Sequence, residues 1–91
     1  MSLKTSIILC TYNESKYIKE TIAEVEKNIS NLELIIIDDN STDKTREIIE
    51  NLNHDKRIKL IHRKKSRSLA SAFLRGVIKS SGDYIGWLDT N

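Results

Sequence analysis

Along the chain, apolar residues fall into four short continuous runs separated by three stretches of helical spacing. The runs predict strands over Ser6–Cys10, Leu34–Asp38, Ile58–His62 and Tyr84–Leu88, each rich in β-branched or aromatic side chains. Ile7-Ile8-Leu9 and Leu34-Ile35-Ile36-Ile37 do not alternate with polar residues, the pattern of strands buried on both faces of a parallel sheet. Ile18, Ile22, Val25 and Ile29 recur at intervals of four, three and four and form one helical stripe. Ile48, Ile49 and Leu52 mark a second helix starting near Thr42 or Asp43, with Ser41 or Thr42 as its cap and Asp43 at the positive end of its dipole. The third runs from about Ser68 to Lys79, with Leu69, Phe73, Leu74, Val77 and Ile78 expected to face inward. Gly82 then reads as a left-handed stop before the last strand. The order β-α-β-α-β-α-β predicts an α/β, Rossmann-like, three-layer unit with a mainly parallel sheet, one domain over residues 1–91.

Composition narrows the class without changing the architecture. With 38% hydrophobic and 31% charged residues, the chain reads as globular rather than disordered. No apolar run approaches the ~20 residues of a membrane-spanning helix, and the N-terminus lacks the pattern of a signal peptide. One cysteine makes no internal disulfide, so the expected location is the cytoplasm. A formal net charge of +2 is too small to imply nucleic acid.

In an open parallel sheet, ligands bind beyond the carboxyl ends of the strands. Those ends read Cys10-Thr11-Tyr12-Asn13-Glu14, Asp38-Asp39-Asn40-Ser41-Thr42-Asp43, His62-Arg63-Lys64-Lys65-Ser66-Arg67 and Asp89-Thr90-Asn91. No G-x-G-x-x-G follows the first strand, there is no P-loop and no nucleophile elbow, and His54 and His62 lack zinc spacing. What remains is an aspartate-rich edge with basic residues nearby, which suits a nucleotide carrying a diphosphate. A carboxylate accepts the ring N–H of uracil or guanine, or a pair of ribose hydroxyls. Hard oxygen ligands hold Mg²⁺ or Mn²⁺, which neutralises a diphosphate, and arginine or lysine supplies further positive charge.

The blander roles of these residues differ one from another. Capping accounts for Asp43, whereas Asp38 and Asp39 together exceed what a cap needs. The run Arg63-Lys64-Lys65 with Arg67 reads as a solvated loop in which Arg67 is the best candidate to meet phosphate. Cys10 reads as a small buried hydrophobe, His54 and His62 as surface or loop residues, and Phe73 and Trp87 as core or interface residues.

The stretches Ser6–Glu14 (S-I-I-L-C-T-Y-N-E) and Leu34–Thr45 (L-I-I-I-D-D-N-S-T-D-K-T), with Ala72–Gly76 and Gly82–Ile85 leading into Asp89-Thr90-Asn91, resemble the start of a family 2 inverting glycosyltransferase. The nearest likeness is to its dolichol-phosphate mannosyltransferase and polyprenyl-phosphate branch. The resemblance implies the N-terminal half of a GT-A fold, whose substrate is a GDP- or UDP-linked sugar. Thr11, Tyr12 and Glu14 would line the base and ribose pocket, with Asp38 beside it, Asp39 on the base and Arg67 beside the nucleotide. Asp89 and Asn91 occupy the D-x-D position, which holds a divalent Mg or Mn ion and the sugar diphosphate. Implied acceptors are a polyprenyl phosphate, a glycan or a protein.

Three departures from the family pattern involve four positions. Cys10 stands where many members have proline, Ser68 and Ala70 where the polyprenyl-phosphate branch often has glycine, and Asn91 where D-x-D ends in aspartate. An amide oxygen still ligates a divalent ion but brings no charge, so metal affinity should fall. Since the chain stops on that motif, the expectation is a donor-binding fragment of a longer, membrane-associated parent, inactive alone and self-associating through an uncovered edge. The general base would lie on a later segment and is unassigned. The alternative is a nucleotide-binding module without catalysis. A signalling receiver domain, which also clusters aspartates on a βα scaffold, fails because the third strand ends in His62-Arg63 instead of a phosphoacceptor aspartate.

Overall fold

A computed structural model describes residues 3–52, 55–64 and 69–89. Its elements are β1 (Thr5–Thr11), α1 (Ile18–Asn28), β2 (Leu32–Asp38), α2 (Thr45–Asn51), β3 (Ile58–His62), α3 (Leu69–Lys79) and β4 (Tyr84–Asp89). The strands form one sheet in the order β3-β2-β1-β4, and every neighbouring pair is parallel. The continuous apolar runs lie on its two central strands, where both faces are covered.

Period-two alternation splits those runs between two cores. Ile7, Leu9, Leu34 and Ile36 face α1 and α2 and pack on Ile18, Ile22, Val25 and Ile49. Ile8, Cys10, Ile35 and Ile37 face the other way, against Ala72 of α3, with Phe73, Val77 and Trp87 alongside. Phe73 and Trp87, both partly buried against this core, meet edge-on with ring centroids 4.9 Å apart. The result is three layers, with α1 and α2 on one face and α3 on the other.

The sequence reading errs in four places, each with a physical cause. Of the residues expected inward on α3, Leu74 is 59% and Ile78 75% exposed, and the side chain of Leu69 lies outside the described residues. The cause is close approach: a Cβ on Gly76 would stand 2.5 Å from Ile8 Cγ2. Ala72 and Gly76, one turn apart, therefore form the contact line, and the helix rotates Leu74 and Ile78 outward.

Gly82 is not left-handed, since no glycine in the described residues has positive φ. A Cβ there would come 2.5 Å from Ser6 Oγ, so Gly82 answers to a tight approach rather than to a turn. Helix α2 begins at Thr45 rather than at Thr42 or Asp43. Its N-cap is Lys44, not Ser41 or Thr42, and makes no side-chain bond to the helix; Asp43, one residue earlier, accepts the Thr45 amide at 2.9 Å and the Thr45 hydroxyl. Those bonds, with one from Ser15, outweigh desolvation and hold the Asp43 carboxyl at about 2.

Strand β2 starts two residues early, because Glu33 is a buried strand residue (3% exposed). Its carboxylate accepts Ser6 Oγ at 2.7 Å, Lys59 Nζ at 2.6 Å, and Ser81 N and Oγ at 2.8 and 3.0 Å. Ser6 Oγ in turn accepts the Gly82 amide at 2.8 Å. Burial on its own would raise the Glu33 pKa. The hydrogen bonds from Lys59, Ser6 and Ser81 win and lower it to about 2.

Candidate functional site

The carboxyl ends of β1, β2 and β3 lie side by side, with Thr11 opposite Asp38 and Asp38 opposite His62. The loops leaving β1 and β2 are fastened together, mainly through Asn13. Its side-chain Oδ1 accepts the amides of Thr42 and Asp43 at 2.7 and 3.3 Å, and its Nδ2 donates to Thr42 Oγ1 at 3.2 Å. The Asn13 amide donates to Ser41 Oγ at 2.9 Å, the Glu14 amide to Thr45 Oγ1 at 2.8 Å, and the Ser15 amide to Asp43 Oδ2 at 3.2 Å. Asn13 (φ 50°) and Asn40 (φ 59°) both sit in the left-handed region, which asparagine tolerates better than most side chains. The two motifs that stand apart in sequence therefore make one rigid rim.

The two adjacent aspartates face different partners. Asp38 is fully buried; it accepts the Ser41 amide at 3.2 Å and the Ser41 hydroxyl, and His62 Nδ1 stands 3.1 Å from its Oδ2. Asp38 thus braces the loop and β3. Asp39 is 8% exposed, its amide donates to the Thr11 carbonyl at 3.0 Å, and its carboxylate is gripped by Arg63. The grip is a fork: Nε donates to Oδ1 while Nη2 donates to Oδ2 at 2.8 Å. Arg63 Nη1 donates to Ser71 Oγ at 2.9 Å, tying the pair to α3. The hydrogen bond to Asp39, opposed by desolvation, raises the Arg63 pKa, so its charge is permanent.

Thr11 is 3% exposed, and its Oγ1 is the one buried side-chain polar atom among the described residues without a hydrogen-bond partner. A buried orphan hydroxyl costs free energy unless something else satisfies it, so it marks a place for a ligand or water. Tyr12 is 55% exposed beside it, and Glu14 is half-buried ahead of the turn that leads into α1, where its carbonyl accepts the Tyr17 and Ile18 amides. Thr11, Tyr12, Glu14, Asp38 and Asp39 are therefore brought together at one edge.

Asp89 ends β4 with its backbone opposite Cys10; its side chain, and all of Arg67, Thr90 and Asn91, lie outside the described residues, as does His54. Among the described residues no three His, Cys, Asp or Glu side chains stand close enough together to hold a metal ion. Nor is any helix there long and apolar enough to cross a membrane.

Sequence reasoning missed His62 and Arg63, taken for surface and solvated-loop residues; their side chains are only 19% and 11% exposed and bind Asp38 and Asp39. The available signal was topological. His62 ends a strand that lies next to β2 and stands in register with Asp38, and Arg63 follows directly after it.

Comparison with known proteins identifies the family and the fold. A family model described as glycosyl transferase family 2 matches residues 6–90. An uncharacterized glycosyltransferase of Haemophilus influenzae is 42% identical over 88 residues, which cover 94% of this chain and 35% of the relative. The dolichol-phosphate mannosyltransferase of Pyrococcus furiosus is 33% identical over 98% of this chain and 26% of its own length. The chain thus spans about a third or less of these relatives. Residues 1–349 of S. aureus TarS in complex with UDP superpose with a TM-score of 0.85 at 25% identity, covering 97% of this chain and 27% of that one. The mannosyltransferase PcManGT of Pyrobaculum calidifontis, solved with GDP-Man and Mn²⁺, superposes at 0.84; at 21% identity, covering 98% and 28%, it speaks for the fold alone.

Proposed function

The chain belongs to glycosyl transferase family 2, and from that membership we propose that it is the donor-binding part of an enzyme transferring a sugar from a UDP- or GDP-linked donor to an acceptor. The observation that carries the proposal is the fastened rim itself. It gathers Thr11, Tyr12, Glu14 and Asp39 at the carboxyl edge of a parallel sheet, next to the point where the strand order turns from β1 to β4.

In this reading Asp39 accepts the ring N–H of the base, the Thr11 hydroxyl gains the partner it lacks, and Tyr12 covers the ring. The transfer is inverting: the acceptor oxygen bonds to the anomeric carbon on the face opposite the diphosphate. The bond from that carbon to the diphosphate oxygen breaks, and where the acceptor is a hydroxyl its proton passes to a general base not assigned among residues 1–91. Polyprenyl phosphate, a glycan or a protein each offers a suitable acceptor oxygen, and likeness to a dolichol-phosphate mannosyltransferase supports the first.

The donor set of Asp89 and Asn91 is hard oxygen and suits Mg²⁺ or Mn²⁺, with one carboxylate fewer than a pair of aspartates would supply. A bound ion would neutralise the departing diphosphate. Arg67 adds positive charge near the nucleotide in the same scheme.

Calorimetric titration of the chain with UDP, GDP and their sugars, with and without Mn²⁺, tests the reading. Binding of a nucleoside diphosphate that strengthens with Mn²⁺ is expected, without sugar transfer by the chain alone. No binding to any of them sinks it. The missing carboxylate at Asn91 favours one second reading, a nucleotide-binding module without catalysis, for which binding would be indifferent to metal.

A further inference from the structure

Charge is segregated along this chain. Residues 63–82 hold six lysines and arginines and no acidic residue, whereas the other residues hold nine basic and thirteen acidic ones. The basic segment contains α3. The other two helices mix their signs, with Lys19, Glu20, Glu24, Glu26 and Lys27 on α1 and Arg46, Glu47 and Glu50 on α2. We infer that the outward face of α3 docks on an anionic lipid bilayer, through Leu74 and Ile78 with Arg75 and Lys79.

The inner face of α3 is committed to the sheet through Ala72 and Gly76, with Phe73 and Val77 alongside. What remains outward is apolar and basic. Ile78 is the most exposed large apolar residue among those described, and Leu74 is more than half exposed. Single exposed apolar side chains are ordinary, but these two stand one turn apart, where helical side chains are neighbours. Arg75 and Lys79 follow them in the chain, are exposed as well, and form no ion pair among the described residues.

Apolar side chains flanked by cations, with no acid among them, suit a helix lying in the plane of a membrane interface. Leu74 and Ile78 would enter the headgroup region, while the long stems of Arg75 and Lys79 let their charges meet lipid phosphates. Two apolar side chains insert little area, so the contact is a reversible one that depends on lipid charge. Nucleic acid is the other polyanion a basic face could meet. It would set Leu74 and Ile78 against phosphates, and the rings that could stack on bases, Phe73 and Trp87, are packed on each other instead.

The test is co-sedimentation of the 91-residue chain with vesicles of phosphatidylcholine, alone or mixed with phosphatidylglycerol. Nucleotide is left out, so the result is independent of the donor-binding reading. The chain should partition onto the anionic vesicles roughly tenfold or more better than onto the neutral ones, and added salt should release it. The double variant Leu74→Gln/Ile78→Gln should lose about tenfold in partition, and Arg75→Glu/Lys79→Glu at least as much. Lys19→Glu/Lys27→Glu makes the same change in net charge on α1 and should keep most of the binding. Tryptophan placed by Ile78→Trp should shift its emission to the blue on anionic vesicles, a readout that needs no loss of function. Equal partition onto both vesicles overturns the inference, as does full binding by Leu74→Gln/Ile78→Gln, or an α1 variant as impaired as the charge variant of α3. An unshifted emission in Ile78→Trp overturns it too. So does an RNA oligonucleotide held by a chain that ignores anionic vesicles, which would mark a nucleic-acid face.

Discussion

Individual side chains at the two ends of the sheet carry opposite kinds of burden. At the amino end, Glu33 is consumed by four donors and sits at a pKa of about 2, against 4.5 for an unconstrained glutamate. A carboxyl with a depressed folded-state pKa contributes stability that is whole above its unfolded value and lost as pH falls through the folded one. The unfolding free energy should therefore decline between about pH 5 and 2 by on the order of 3 kcal/mol. Glu33→Gln should flatten that decline while lowering stability at pH 7, and urea melts across the range would measure both.

At the carboxyl end, Asp38 braces a loop and a histidine with no exposure at all. Asp38→Ala leaves the Ser41 amide and His62 without their partner and should cost about 3 kcal/mol, read by the same melts. Neither role could be seen in the sequence, where Asp38 looked like a ligand contact and Glu33 fell just outside the apolar run of its strand. Burial of a polar group depends on partners distant in the chain, here Ser81 for Glu33 and His62 for Asp38.

The elements themselves were legible wherever a single period governed them. Unbroken Ile and Leu runs announced the two central strands, and the Ile18–Ile29 stripe announced α1. Helix α3 was legible in extent but not in rotation, because Leu74 and Ile78 look like core while Ala72 and Gly76 look like filler. Close packing against Ile8 rewards the smaller pair. Gly76→Ala should thus destabilise by about 1–3 kcal/mol despite alanine's better helix propensity, since the new methyl meets Ile8. Ile78→Lys should stay within about 0.5 kcal/mol. Thermal melts of the pair would decide, and the reverse order would show that α3 is seated differently.

At the scale of the molecule, the site is a property of two loops held as one. The motif residues pointed to the right edge of the sheet because a parallel sheet gathers strand ends whatever the sequence between them. The fastening by Asn13 was not legible, since its partners Ser41, Thr42 and Asp43 lie about thirty residues on. Asn13→Ala should open the rim, lowering nucleotide affinity by about tenfold or more and melting temperature by a few degrees. Affinity unchanged with the melting point lowered would separate the rim's structural part from a part in binding.

Cys10 has a use that follows from its place rather than its chemistry. The chain's one thiol is 4% exposed on a central strand, beneath α3 and next to Thr11. A thiol reagent can reach it only when that part of the sheet parts from its helix, so the rate of labelling is a clock for local opening. A nucleotide settling over Thr11 and Asp39 should slow that clock. The molecule therefore reports occupancy of its candidate site through a single native chemical group, with no residue substituted and no turnover required.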